Sequence, residues 1–494
     1  MLTVFFFARL WRRAGIMTDV EFAELRYSGK PAAFLRGFRA LYLGLFINCV
    51  IMAWVNLAMA SILEGMFGVP RATLYYYVAA ALAITALYSA MSGLWGVAVT
   101  DVVQFVIAMA GTIIVAVIVL RLPAVGGIAG LQSRLPDWTF RFLPAIGAEG
   151  TPGPGGALAI SVSAFLAYVG VQWWASWYPG AEPGGGGFVA QRMMSSRDER
   201  HSVLATLWFQ VAHYCVRPWP WILTGLATLV LYPGLGADQK RLGYIYAMRD
   251  YLPAGMRGML VAAFFAAYMS TVATQLNWGA SYVVIDFYRR FIRRNAGEKH
   301  LVAISRLTTL FIMAVSLVIT GSIERISGAW EFIIECGAGV GLVLILRWFW
   351  WRINAWSEIA AMIAPVLAYS YIRFRTGIAF PESLYYICSF TTLVWLVVTF
   401  LTRPADMRTL QRFYRRVRPG GIGWKPVARL MPEVQATSGY GRLFLDWAAG
   451  IALVYSFLFG IGKWLFGAWL SGILLLTVGL AAGVFLWLEL KRFA

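Results

Sequence analysis

Apolar runs of membrane-spanning length recur along the whole chain and leave few folds open to it. A helix of about 20 apolar residues crosses a hydrocarbon layer of ~30 Å. Only 13% of the residues are charged, against roughly a quarter in soluble proteins. The sequence therefore predicts an all-α polytopic membrane protein, with twelve spans at 40–64, 73–94, 97–120, 157–178, 203–232, 257–284, 301–321, 329–348, 355–373, 383–401, 444–464 and 467–489.

The net charge of +19 follows the predicted membrane topology and does not indicate a nucleic-acid partner. Lys and Arg concentrate in segments 9–39, 289–299 and 403–442 and at Lys491–Arg492. Loops rich in Lys and Arg lie on the cytoplasmic side of a membrane. We therefore expect a multi-pass cell-membrane protein in the lipid bilayer, with a cytoplasmic C-terminus and no nucleic-acid binding.

Residues that could support catalysis or a structural metal are sparse. The four cysteines Cys49, Cys215, Cys336 and Cys388 lie in separate apolar runs without a CxxC pair, and three histidines are scattered. A zinc site needs clustered Cys and His ligands, and an enzyme needs a nucleophile with its acid or base. The sequence predicts neither an enzyme nor a cofactor.

One apolar run, Leu260–Asp286, carries small and hydroxyl side chains at helical spacing on one face. The opposite face is bulky, and such a helix either packs closely against another helix or lines a polar cavity. The residues alone leave both alternatives open. The small and hydroxyl positions are Ala263, Ala267, Ser270, Thr271, Thr274, Asn277 and Ser281.

Two prolines and five glycines interrupt the segment 171–192 at the end of an apolar run. Such residues break a helix and leave backbone groups without helical partners at membrane depth. Transporters place broken helices around their solute. Candidate solute contacts here are Trp177, Tyr178, Glu182 and Gln191, although the aromatic residues could equally form an interfacial belt.

Charged residues inside apolar runs need a partner or a function. Arg217 follows His213 by four residues, so both lie on one helix face. Arg217 could pair with Glu182 or Glu335, or it could bind an anionic or carbohydrate-like solute. Asp101 could pair with a neighbouring polar or basic side chain, or it could serve an ion.

Several segments, in the same order, resemble motifs of the sodium:solute symporter family, which includes sodium-coupled sugar, proline and pantothenate carriers. Thr18–Tyr27 is similar to T-x-x-E-F-x-x-x-R-Y, and 90–104 is similar to G-G-L-x-A-V-x-x-T-D-x-x-Q. Residues 267–271, with Asp286 and Tyr288 downstream, resemble A-A-x-M-S-T/S followed by D-x-Y, and 347–354 resembles the end of the last core helix.

The resemblance implies a LeuT-like fold of two inverted five-helix repeats in residues 1–365. Peripheral helices would follow in 366–494, with a basic cytoplasmic loop at 402–443. The resemblance also implies that Ala267, Ser270 and Thr271 bind the coupling sodium ion.

Asp101 would lie on the ion exit path by the same resemblance. His213 falls near a polar solute contact of the sugar carriers, whereas Trp330 stands where those carriers have a substrate glutamine. That difference weakens a sugar assignment.

We therefore expect a sodium-coupled secondary symporter that moves a small polar or anionic solute into the cell by alternating access. The alternative is a transport-inactive, transporter-like membrane sensor or scaffold. Aligned with the family in this way, the chain is expected to lack the first core helix and most of the second.

Overall fold

The computed structural model of the chain is built almost entirely from helices. It describes residues 1–16, 18–89, 94–147, 159–177, 187–236, 239–322, 326–435, 437 and 439–491. Within these ranges, extended pairing is limited to one bridge between Ile146 and Ile160. The predicted all-α class is therefore confirmed.

The helices of the described residues are numbered in chain order. They are α1 (Ala8–Ala14), α2 (Phe22–Arg26), α3 (Gly29–Phe67), α4 (Arg71–Ser89), α5 (Leu94–Arg121), α6 (Gly127–Arg134), α7 (Val162–Ala175), α8 (Phe188–Met194), α9 (Glu199–Val211), α10 (Pro218–Leu231), α11 (Gly243–Tyr251), α12 (Ala254–Ile292), α13 (Glu298–Ser322), α14 (Ile326–Cys336), α15 (Val340–Phe349), α16 (Ala355–Arg375), α17 (Ser383–Leu401), α18 (Met407–Val417), α19 (Lys425–Ala428), α20 (Tyr440–Leu465) and α21 (Trp469–Lys491).

Eight helices in the described part of the chain are long and apolar enough to cross a membrane, or nine if the bent pair α14–α15 counts as one span. This is fewer than the twelve predicted spans. The apolar stretches at Ala72–Leu87 and Val162–Ala175 are shorter than a full span. The predicted span at 203–232 is divided into α9 and α10 by a π-helical segment, Ala212–Val216.

The C-terminal half of α12 packs tightly against α3. Asn48 of α3 donates a hydrogen bond from its side-chain amide to the carbonyl of Gln275 at 2.9 Å. A Cβ atom at Gly279 would lie 2.1 Å from Asn48 Nδ2 and 2.6 Å from the Gly44 carbonyl oxygen. Only glycine fits at position 279, so close packing is realised in this half of the helix.

The apolar segment that contains α14 and α15 is bent by 53°. Gly339, at the break, has φ +95°, a left-handed conformation that favours glycine. Its N–H donates to the carbonyl of Ala175 at 2.7 Å. The bend therefore fixes the end of α7 against the start of α15.

A buried charge cluster joins α2 and α3 to α15 and α16. Glu358 accepts hydrogen bonds from the Tyr27 hydroxyl at 2.5 Å, from Arg39 at 3.3 Å and from Arg347 at 3.1 Å. Burial raises the pKa of Tyr27 well above its ordinary value, so the phenol stays a donor. The cluster consists of Asp19, Arg26, Tyr27, Arg39, Arg347 and Glu358, each at most 2% exposed.

The segment 402–443, predicted as a basic loop, contains the helices α18 and α19. Phe413 of α18 stacks on Trp424 at 5.4 Å between ring centroids and meets Phe22 edge-on at 5.7 Å. The arginines of α18 are exposed on its opposite face. This segment therefore packs onto the helices near the start of the chain.

Candidate functional site

A cavity of 770 Å³ lies between α5, the α9–α10 pair and α12, and we call it the α5–α12 cavity. Its volume is in the range of roughly 300–1,000 Å³ that small-molecule sites occupy. The second alternative for the small-residue face of α12, a polar cavity wall, is realised here. The polar lining side chains are those of Asp101, Gln104, Thr112, His213, Arg217, Ser270 and Thr271.

Asp101 of α5 and Ser270 of α12 meet directly in this cavity. The Ser270 hydroxyl donates a hydrogen bond to Asp101 Oδ1. Asp101 Oδ2 lies 3.9 Å from Arg192 Nη2 of α8. The side chains of Asp101 and Arg192 are 35% and 40% exposed, so the protein itself does not seal this pair.

Thr271 and Ala267 supply further oxygen atoms on the same wall. The Thr271 hydroxyl donates to the Ala267 carbonyl oxygen at 3.0 Å, a local bond within the helix. The hydroxyl oxygen keeps its lone pairs after that donation. Hydroxyl, carbonyl and carboxylate oxygens suit a hard cation, so Asp101 adds a negatively charged oxygen ligand to those of Ala267, Ser270 and Thr271.

The helical break between α9 and α10 positions His213 and Arg217. Pro218 begins α10, and the Arg217 N–H bonds to the Ala212 carbonyl at 3.2 Å, five residues back. Such π-helical turns often occur at functional sites. The Arg217 guanidinium donates to His213 Nδ1 at 3.1 Å and lies 5.4 Å from the centroid of the Trp221 ring.

Arg217 makes no ion pair with a carboxylate of the described residues. Of its two predicted partners, Glu182 lies outside the described residues. Glu335 instead accepts a hydrogen bond from Ser383 of α17. The predicted pairing of Arg217 with Glu335 is therefore not formed.

Three other predicted solute contacts lie away from the described lining of the cavity. Trp177 packs edge-on against Phe7 at 5.4 Å, and Trp330 contacts Trp54 at 5.2 Å. Gln191 lies in α8, one residue before Arg192. The solute-binding roles of all three stay predictions, as does that of Tyr178, which lies outside the described residues.

Sequence reasoning missed several residues that line the cavity. Trp208 and Trp221 share one face of the α9–α10 pair with His213 and Arg217. Trp221 follows Arg217 by four residues, so extending the helical face would have found it. The link between Arg192 and Asp101 had no local signal, because 91 positions separate them along the chain.

Comparisons with known proteins identify the family of this chain. The sequence profile of the sodium:solute symporter family matches residues 1–364. The chain is 28% identical over 335 residues to the osmoregulated proline transporter OpuE of Bacillus subtilis, which covers 65% of this chain. The match spans 63% of OpuE, less than two thirds of its length. A sodium/glucose cotransporter of Vibrio parahaemolyticus is 24% identical over 412 residues, covering 79% of this chain and 72% of that protein.

A similar fold occurs among solved structures. A Na⁺-coupled sialic acid symporter, solved in a substrate-bound outward-open state, aligns with a TM-score of 0.58 at 19% identity. The alignment covers 82% of this chain and 81% of the symporter chain. This likeness confirms the predicted LeuT-like fold with inverted repeats.

Proposed function

The chain belongs to the sodium:solute symporter family, and we propose that it moves a small polar or anionic solute into the cell by alternating access. The sodium gradient would drive this uptake. The observation that carries the proposal is the direct contact of Asp101 with Ser270 in a cavity that also holds Arg217. One cavity thereby offers oxygen ligands for a cation and a guanidinium for a polar solute.

The sodium site would consist of the Ala267 carbonyl and the hydroxyls of Ser270 and Thr271. Asp101 would receive the ion on its exit path. Ser270 donates to Asp101, and Arg192 lies within ion-pair distance of the same carboxylate. A bound sodium ion would compete with both contacts for the carboxylate oxygens.

Coupling would follow from linkage between two sites in one cavity. An ion that raises the affinity for the solute must have its own affinity raised by the solute in the same proportion. His213 and Arg217 share the cavity with the proposed sodium residues. The sequence also proposes Trp177, Tyr178, Glu182, Gln191 and Trp330 as solute contacts, of which Trp177, Gln191 and Trp330 lie outside the described lining of this cavity.

Contacts among the three basic segments support a common cytoplasmic side. Arg290 pairs with Glu24 at 2.7 Å, and Arg416 donates to the carbonyl of Gly15 at 2.8 Å. Segments 9–39, 289–299 and 403–442 therefore meet at one end of the helices. By the positive-inside rule that end, with the C-terminus, would face the cytoplasm.

Uptake into proteoliposomes tests the proposal. The purified full chain is assayed with a solute panel that includes L-proline and D-glucose, in sodium or choline chloride. Uptake should require sodium, and Ser270→Ala and Thr271→Ala should each reduce that requirement or abolish uptake. The matched control is Ser281→Ala on the same helix, whose hydroxyl bonds to the Trp278 carbonyl at 2.8 Å.

Retention of full sodium dependence by both variants would contradict the sodium-site assignment. Equal uptake in sodium and choline chloride by the unaltered chain would contradict sodium coupling itself.

A further inference from the structure

Among the described residues that line the α5–α12 cavity, Arg217 has no carboxylate partner. Asp101 is the carboxylate among the described lining residues, and Ser270 and Arg192 already engage it. Arg217 has His213 and the face of Trp221 as partners, and neither is negatively charged. Arg217 is exposed on the cavity wall, so an anion in the cavity can reach its guanidinium, and an arginine in an apolar helix is normally paired.

The local geometry prepares Arg217 for a planar anion. Arginine can only donate, so His213 Nδ1 accepts the hydrogen bond from Nη1. The ring of Trp221 lies against the guanidinium on another side. These two contacts restrict the orientation of the guanidinium, whose parallel N–H groups match the two oxygens of a carboxylate.

The remaining walls of the cavity are apolar and aromatic. Phe105 from α5, Trp208 and Phe209 from α9, and Phe264 from α12 all line it. Hydroxyl groups of a sugar that face these walls would be left without partners. An apolar or aromatic body would be matched by them.

We propose that the solute is a small monocarboxylate with an apolar body. Its carboxylate would bind to Arg217, and His213 would orient the guanidinium of Arg217. This inference rests on the proposed function, because it names the solute class of the same cavity. His213 acts as a positioning residue, since it holds the guanidinium. A single negative charge matches Arg217, which has no carboxylate partner among the described residues.

Binding to matched acids and amides tests the inference. The full chain in detergent is titrated with phenylacetate and phenylacetamide, and with L-proline and L-prolinamide, in sodium chloride. Thermal unfolding and tryptophan fluorescence report binding. The acids should bind and the amides should not, and Arg217→Gln should weaken acid binding about 10- to 100-fold.

Two further substitutions keep the result interpretable if Arg217→Gln fails to fold. Arg217→Lys keeps the charge but loses the paired N–H groups, so acid binding should fall by an intermediate factor. The control Arg257→Gln removes an arginine that donates to the Arg249 carbonyl outside the described lining and should bind acids normally. Equal binding of acids and amides, no response to either acid, or unchanged acid binding by both Arg217 variants would overturn the inference.

His213 has its own test, rescue by a conservative variant. The oxygen of an asparagine side chain can accept from Arg217 in place of Nδ1, so His213→Asn should retain the preference for acids. His213→Leu should lose it. Equal loss in both variants would contradict the positioning role.

The failure of this inference is distinguishable from failure of the proposed function. Acid binding that persists unchanged in choline chloride would contradict sodium coupling and leave the carboxylate site standing. Sodium-dependent uptake of neutral solutes alone would contradict the carboxylate site and leave symport standing.

Discussion

Charged side chains collect in two regions of this protein, the buried charge cluster and the α5–α12 cavity, and their surroundings differ. In the cluster, Glu358 accepts from Tyr27, Arg39 and Arg347, and all four side chains are sealed from solvent. In the cavity, Arg217 has no carboxylate among the described residues. Charges that form ion pairs with one another hold helices together, whereas a charge without an oppositely charged partner can bind a ligand.

Burial determines how much folding stability is lost when a charged side chain in each region is replaced. A charge that loses its partner inside a protein pays the full desolvation penalty, while a partly exposed charge is compensated by water. The side chains of Arg347 and Glu358 are 0% and 1% exposed, against 40% and 35% for Arg192 and Asp101. We therefore expect substitutions in the cluster to act on folding and substitutions in the cavity to act on ligands.

The largest expected effect is that of Glu358→Ala. It leaves Arg347 buried without its carboxylate and should lower the free energy of unfolding by about 3–5 kcal/mol. Denaturant or thermal titration of the purified chain measures this change. The matched control is Glu433→Ala, which removes an exposed pair with Arg415 and should cost less than about 1 kcal/mol. Similar losses of unfolding free energy in the two variants would contradict the expected difference between buried and exposed ion pairs.

Asp101→Asn should separate ligand binding from stability. Asparagine can still accept from Ser270, and the side chain at this position is partly exposed, so the unfolding free energy should change by less than about 1 kcal/mol. A ligand that binds the folded state raises its stability. The stabilisation by sodium chloride over choline chloride should fall in this variant. A loss of stability as large as that of Glu358→Ala would instead indicate that Asp101 stabilises the fold.

The smallest effect should come from Asp198, which is exposed and caps α9. The His201 backbone N–H donates to it at 2.8 Å, and this bond with that of the His201 ring lowers the pKa of Asp198. A carboxylate whose pKa is lowered by folding stabilises the folded state at pH values above the ordinary aspartate pKa of about 4. This stabilisation is lost as the pH falls through the lowered pKa.

Asp198→Ala should therefore unfold slightly more easily than the unaltered chain at pH 7, and the difference should shrink toward pH 3. Unfolding midpoints at pH 7 and pH 3 measure both quantities. A difference that grows as the pH falls would contradict the assigned sign.

Helix type and approximate position were predictable along most of the chain, because they depend on local apolar periodicity. The exceptions have local causes as well. Pro218 and the π-helical turn before it divide one predicted span into α9 and α10, and Gly339 marks the bend between α14 and α15. Twelve spans were predicted, whereas eight or nine helices in the described ranges satisfy the length and apolarity of a crossing helix. One reason is that the prediction counted apolar runs without their breaks.

Sequence by itself determined the helical class, the helix faces that carry His213 with Arg217 and Ser270 with Thr271, and the family resemblance. Tertiary structure decided what those faces meet. It divided α12 between close packing at Gly279 and cavity lining at Ser270, two alternatives that the residues left open. It also joined Asp101 to Ser270 and left Arg217 without Glu335. Helical periodicity fixes which side chains share a face, but partners 169 residues apart are fixed only by packing between helices.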